Sequence, residues 1–177
     1  MPKSLRRLLP LLAALIVGCT AIPDGLQPVS GFQLDRYFGT WYEIARLDHS
    51  FERGLSDVSA VYAPRPDGAV SVLNRGFNAE KNEWKEALGK AVFIDDTQTG
   101  SLKVSFFGPF YGGYHIIALD PDYRWSLVAG PSRDYLWILA RDRQLSDAQK
   151  AALIKTAAAF GFETGKLIWV SHKQPAS

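Results

Sequence analysis

The chain of 177 residues holds one cysteine, Cys19, so no internal disulfide forms and no multi-cysteine metal site can be assembled. Its three histidines, His49, His115 and His172, stand far apart, with no partner at a metal-ligand or catalytic spacing. They read as surface residues, and neither a metal site nor a cofactor site is expected. Charge of one sign is lacking too. The formal net charge is +2, and three of the 20 basic residues, Lys3, Arg6 and Arg7, crowd the N-terminus. Setting those three aside leaves 17 basic against 18 acidic residues, which is no electrostatic footprint for nucleic acid. No internal repeat or low-complexity tract is present, and the apolar stretch Leu8 to Val17, interrupted by Pro10, is too short to cross a bilayer as a stable helix. What remains is a composition 47% hydrophobic and 21% charged. It describes a globular domain that must be held by a packed core or by a barrel closing on itself.

The N-terminus reads as an export signal: a basic start, an apolar stretch, then Leu15-Ile16-Val17-Gly18-Cys19. An aliphatic run, a small residue and a cysteine resemble the lipobox of bacterial lipoproteins. The resemblance implies that residues 1–18 are removed and that Cys19 is acylated as the first residue of the mature chain. Thr20 is not the Asp associated with inner-membrane retention, so the same resemblance implies a lipid-anchored protein of the outer membrane, facing the periplasm. Residues 19–31 then comprise the lipidated N-terminus and a linker rich in Pro, Gly and small polar residues.

From Phe38 onward, short aromatic and β-branched runs are separated by turn signals at Pro66-Asp67-Gly68, Asn78-Ala79-Glu80, Thr99-Gly100, Gly112-Gly113 and Pro121-Asp122. The candidate strands are 39–47, 57–64, 69–76, 83–93, 101–107, 113–120, 124–130 and 135–141. Eight antiparallel strands suffice for a small up-and-down barrel, so the fold class is all-β. The pattern changes at Ser146-Asp147-Ala148-Gln149, a capping box that opens a helix of about fifteen residues. Its stripe of Leu153, Ala157 and Phe160, beside Ile154 and Ala158, points to packing outside the barrel, and Gly161 stands at the expected C-terminal cap. Lys166 to Val170 reads as a further edge strand.

The stretch Tyr37-Phe38-Gly39-Thr40-Trp41-Tyr42-Glu43-Ile44-Ala45-Arg46 resembles the first lipocalin motif. Leu119-Asp120-Pro121-Asp122-Tyr123 and Leu139-Ala140-Arg141-Asp142 resemble the second and third, in the right order. Phe51-Glu52-Arg53-Gly54-Leu55, the run from Gly108 to Tyr114, and Asp134-Tyr135-Leu136-Trp137-Ile138-Leu139 resemble the bacterial outer-membrane subgroup, which is similar to apolipoprotein D. The resemblance covers about residues 30–172, with the domain itself at 32–172 and a tail at 173–177. It implies a closed barrel base at Gly39, Trp41 and Arg141, with the guanidinium lying over the indole face, a favourable cation–π arrangement.

With Trp41 and Arg141 inward, strand alternation places Glu43, Ala45 and Leu47 inward in the first strand and Tyr135, Trp137 and Leu139 in the eighth. In the other strands, register set by the resemblance adds Ala60, Tyr62, Val72, Asn74, Ala87, Ala91, Val104, Phe106, Tyr114, Ile116, Leu127 and Ala129. Large aromatics alternating with alanines suit a hollow for an aliphatic chain, unless the aromatics fill it. Tyr62, Asn74, Tyr114 and Tyr135 supply sparse polar groups to orient a head group. Glu43 requires a partner or a wet end, because a lone buried carboxylate is costly. The glycines of Gly108 to Gly113 lack the strand-loop-helix setting of a phosphate loop and read as a hairpin turn. Phe110 and Tyr111 there either pack into that hairpin or, if exposed, meet the membrane or a second copy in a homodimer.

The expected function is therefore non-enzymatic: binding of one single-chain lipid, a fatty acid such as palmitate or a lysophospholipid, for storage or transport in the cell envelope. Two alternatives stand beside it, a cavity-based lipid-modifying enzyme and a filled barrel serving as an envelope scaffold.

Overall fold

Each strand run pairs with the next because short turns leave antiparallel neighbours no other economical partner. A computed structural model describes residues 19–173, so the expected signal peptide and the last four residues of the tail lie outside the described residues. In chain order the elements are α1 (Leu34–Tyr37), β1 (Gly39–Arg46), β2 (Leu55–Pro64), β3 (Val70–Asn78), β4 (Glu83–Phe93), β5 (Ser101–Phe107), β6 (Phe110–Leu119), β7 (Trp125–Ala129), β8 (Leu136–Ala140), α2 (Asp147–Ala159) and β9 (Ile168–Trp169). Strands β1 to β8 are antiparallel throughout, and β1 closes the barrel by pairing with β8 on one side and β2 on the other. Along β1, pairing with β2 covers Gly39 to Tyr42, and β9 then takes over at Ala45 and Arg46. The chain after β9 thus fills the gap where β1 and β2 diverge, with Asp57 N–H donating to the Ser171 carbonyl at 2.8 Å.

One turn falls elsewhere than expected. Gly112 and Gly113 lie inside β6, which begins at Phe110, and the hairpin turns at Gly108-Pro109. Gly113 serves close approach. A Cβ on Gly113 would lie 2.7 Å from the His115 ring and 3.3 Å from the Thr20 carbonyl. The segment read as a linker therefore runs along the barrel wall. Leu26 is buried, Val29 N–H donates to the Ile116 carbonyl at 2.8 Å, and Ser30 bridges to Thr99.

Two apolar layers result, one inside the barrel and one outside. Strands β7 and β8 are buried on both faces, and their outer face, with that of β1, needs a cover. Helix α2 provides it. Ser146 caps it reciprocally with Gln149, and Leu153 and Ala157 pack among Ile44, Ile117, Leu127, Ile138 and Ala140. Phe160 is half-buried, Ala158 is exposed, and Gly161 ends the helix with φ +83.

Candidate ligand-binding barrel and its closed base

At the base, Trp41 is completely buried and its indole N–H donates to the Tyr37 carbonyl at 2.8 Å. The Arg141 guanidinium lies 4.0 Å from the Trp41 ring centre and donates to the Thr40, Arg36 and Tyr123 carbonyls at 2.8, 2.8 and 3.3 Å. Gly39, at φ +94, leaves room for that guanidinium, since a Cβ there would stand 3.4 Å from Nη1. All three expected base residues meet. The short helix α1 was not legible in the residue pattern. It brings Tyr37 onto Trp41 at 4.5 Å and completes the floor.

Above this floor, three tyrosine hydroxyls and one serine form a chain. Tyr114 Oη lies 2.8 Å from both Tyr37 Oη and Tyr62 Oη, and Tyr37 Oη lies 3.1 Å from Ser126 Oγ. Burial pushes Tyr37 up to about 12 and raises Tyr62 and Tyr114 well above their usual values, so this layer stays neutral.

Cross-strand register carries the inner wall upward. Trp41 faces Ala60, Ala60 faces Asn74, and Asn74 faces Ala87. A parallel rung sets Tyr62, Val72 and Gly89 side by side. Gly89 lets the Phe106 ring lie against the wall, since a Cβ would come within 2.8 Å of it. Ala91, Val104, Leu102, Ile116, Val128 and Leu139 complete the inner layer with Tyr114 and Trp137. Several inward side chains still meet solvent: Asn74, Val104, Phe106, Tyr114 and Trp137 are half-buried and Ala87 is exposed. A side chain on the inner wall is wetted only where the lumen is open. Strands β4 and β5 pair only from Lys90 to Phe93. Where they part, a cleft of about 290 Å³ is lined by residues of both sheet faces, Gly89 and Phe106 with Leu88, Lys90 and Ser105.

Four residues expected to face the lumen lie elsewhere. Ala45, Leu127 and Ala129, together with Leu47, pack in the outer layer under α2. In β1 a bulge between Glu43 and Ala45 inserts one residue and reverses parity beyond it. In β7 it is Ser126 and Val128 that face inward, opposite Leu139, Trp137 and Ile116. A second bulge, between Ile116 and Ala118, shifts that register.

The same β1 bulge turns Arg46 into the barrel. Its Nη1 donates to Glu43 Oε1 at 2.6 Å, which is the partner Glu43 requires. Arg46 Nη2 also donates to the Glu52 carbonyl at 2.7 Å and so holds the β1–β2 loop over the mouth. Glu52 accepts from Trp137 Nε1 at 3.0 Å. His49 and His115 are buried, contrary to the surface expectation. His115 is enclosed by the N-terminal segment, with Nδ1 3.0 Å from Ser101 Oγ and Nε2 3.1 Å from the Ala21 carbonyl. His49 is covered by Phe51 at 4.0 Å and Trp137 at 5.1 Å between ring centres. Tyr135 stacks beside His49 at 6.0 Å and so lies at the mouth. Phe51 in the β1–β2 loop, and Phe107 and Phe110 at the strand ends flanking the β5–β6 turn, are 62%, 80% and 77% exposed, while Tyr111 is half-buried. No group of acidic, histidine or cysteine residues suited to a metal ion exists among the described residues.

A closed eight-stranded barrel with an indole and guanidinium base, a wetted upper lumen and one external helix defines the class of ligand-carrying β-barrels. Residues 32–172 match the Lipocalin-like domain, and the chain belongs to that family. Across nearly its whole length it is similar to the Outer membrane lipoprotein Blc of Citrobacter freundii, 52% identical over 97% of this chain and 99% of that one, and to its namesake in Escherichia coli K12, 51% identical over the same shares. Apolipoprotein D of Macaca fascicularis is 32% identical over 64% of this chain and 63% of its own. Among solved structures, insecticyanin of the tobacco hornworm superposes with a TM-score of 0.70 at 18% identity, covering 88% of each chain, which supports the fold alone.

Proposed function

We propose that the protein is a lipid-anchored lipocalin of the outer membrane that holds a single-chain lipid, a fatty acid or lysophospholipid, inside the barrel. The observation that carries this reading is the set of small inward residues, Ala60, Asn74 and Ala87, above an aromatic floor, with Ala87 exposed although it faces inward. A filled barrel would bury it. Anchoring through Cys19 is supported by the aliphatic-Gly-Cys sequence, by the exposure of Cys19, and by relatives named outer membrane lipoproteins. No described helix is long and apolar enough to cross a membrane.

Energetics favour single-chain ligands. Burying a methylene contributes about 0.8 kcal/mol, but a lipid leaving a bilayer gives up the same burial, so net transfer is nearly neutral. The barrel competes best for lipids that membranes hold loosely. The ligand is stored or carried, and no bond is made or broken.

Native mass spectrometry of gently purified protein tests the reading. The expected result is a bound mass in the single-chain lipid range that is lost in Ala87→Trp while the circular dichroism spectrum is kept. Protein that carries no lipid, and takes none up on addition, would overturn it.

A further inference from the structure

Contacts of the N-terminal segment fix where Cys19 leaves the barrel. The segment lies on the outer wall of β6, where the Ala21 carbonyl stands 3.1 Å from His115 Nε2 and the Thr20 carbonyl would stand 3.3 Å from a Cβ on Gly113. Followed back from Val29, whose N–H donates to the Ile116 carbonyl, the chain meets His115 at Ala21 and Gly113 at Thr20, so it runs along β6 toward the β5–β6 turn. Cys19 comes next and is exposed. Phe110, at the start of β6, is about 10 Å from Gly113 at a rise of ~3.3 Å per residue. The tether thus has almost no slack.

The face beside it is apolar and open. Phe107 and Phe110 pair across the β5–β6 hairpin, and both are exposed. Leu88, 65% exposed, points outward between the inward Ala87 and Gly89, and with Gly108 and Tyr111 it lines the cleft where β4 and β5 part. Cations border this patch. Lys103 stands over the Tyr111 ring at 5.3 Å, and Arg65 and Lys90 share one acid, Asp67, at 3.2 and 2.8 Å. Large apolar side chains gathered at the surface in this way mark a contact.

Resting on the reading that Cys19 is acylated, we propose that the β5–β6 hairpin and the adjoining edge of β4 form a face that docks on the bilayer holding the acyl chains. Phe107, Phe110 and Leu88 enter the acyl boundary, and Lys103, Lys90 and Arg65 meet the phosphates. Apolar groups at that boundary with basic groups at its rim are the pattern of interfacial attachment. The short tether makes docking intramolecular, and the high effective concentration lets a patch of this size suffice. A second copy fits less well, since a face-to-face contact would set the same cations against one another. Docking turns the cleft at Gly89 and Phe106 toward the membrane.

The test uses the acylated protein in vesicles of phosphatidylethanolamine and phosphatidylglycerol. Because Cys19, the one cysteine of the chain, carries the anchor, a cysteine introduced elsewhere takes a fluorescent label alone. A label on Phe107→Cys should be quenched by two-chain lipids bearing a nitroxide within the bilayer. One on Ala151→Cys, exposed on the helix that covers β7, β8 and β1, should not. Adding Phe110→Asp to Phe107→Cys should cut the quenching by about half or more, while the anchor keeps the protein on the vesicles and the circular dichroism spectrum is kept. Equal quenching at the two positions, or quenching indifferent to Phe110→Asp, would overturn the docking face and leave the anchor and lipid binding standing. A label at position 107 that is shielded from water yet not quenched by the nitroxide, and that loses its shield as the protein is diluted among vesicles, would overturn it in favour of a second copy. A mature chain whose mass lacks acyl groups would overturn the anchor and the face together.

Discussion

At the base of the barrel, Trp41 and Tyr37 stack in full burial and Arg141 gives its donors to three backbone carbonyls, so almost every polar group there is bonded. Toward the mouth, Ala87 faces inward yet stays exposed, the wall parts between β4 and β5, and Arg46 and His49 keep buried nitrogens without hydrogen bonds. Complete packing gives the first end its rigidity. Incomplete packing gives the second room and polarity for a ligand. Stability and capacity are thus divided along one barrel axis, as expected where a binding site is set on a scaffold.

The largest effect belongs to the base. Trp41→Ala should lower stability by about 3–5 kcal/mol, the range for truncating a buried aromatic, as read from chemical denaturation. A change under about 1 kcal/mol would mean that the base does not carry the fold. Arg141→Ala should cost about 2 kcal/mol by the same measurement, because it removes the cation–π contact and leaves strand-end carbonyls without donors.

The mouth should respond to pH instead. Burial, then the neighbouring Glu52, push Glu43 up to about 8 from its ordinary 4.5 despite the pull of Arg46. Between those values the folded chain keeps a proton that the unfolded chain has released, so stability falls as pH rises. His49 opposes this only below its ordinary 6.5, where the unfolded chain binds a proton that the buried ring, at about 4, refuses. From pH 7 to 8 the carboxylates act almost alone, and stability should drop by about 1 kcal/mol. Thermal melts across that range check the slope, and Glu52→Gln should flatten it. The smallest effect on stability is expected for Ala87→Trp, under about 0.5 kcal/mol because the position is exposed, even though it should empty the barrel of lipid. A large loss of stability there would blur the division between the two ends.

Much of this is legible in the residue pattern. Turn residues and β-branched runs marked eight strands within a few residues of their ends, and Ser146 with Gln149 marked the helix start. Gly39, Trp41 and Arg141 announced the base. The interior was less legible, for a definite reason. A strand's facing is read by alternation, and one inserted residue at the Glu43/Ala45 bulge sends Arg46 inward and Ala45 outward. Strand β7, Trp125–Ala129, is apolar on both faces apart from Ser126, so it offers almost no contrast from which to read facing. The burial of His115 depended on the N-terminal segment docking against β6, a contact between residues 94 apart in sequence.

Local chemistry determined the strand and helix boundaries, because each rests on neighbouring residues and short-range conformational preference, while motif resemblance pointed to the export signature ending at Cys19 and to the aromatic plug at Trp41. Closure of the barrel decided the rest: which wall faces the lumen beyond each bulge, where the N-terminal segment lies, and how Glu43, Arg46, His49 and Glu52 come to share one buried site. Those depend on long-range register and on desolvation, which no run of neighbouring residues encodes.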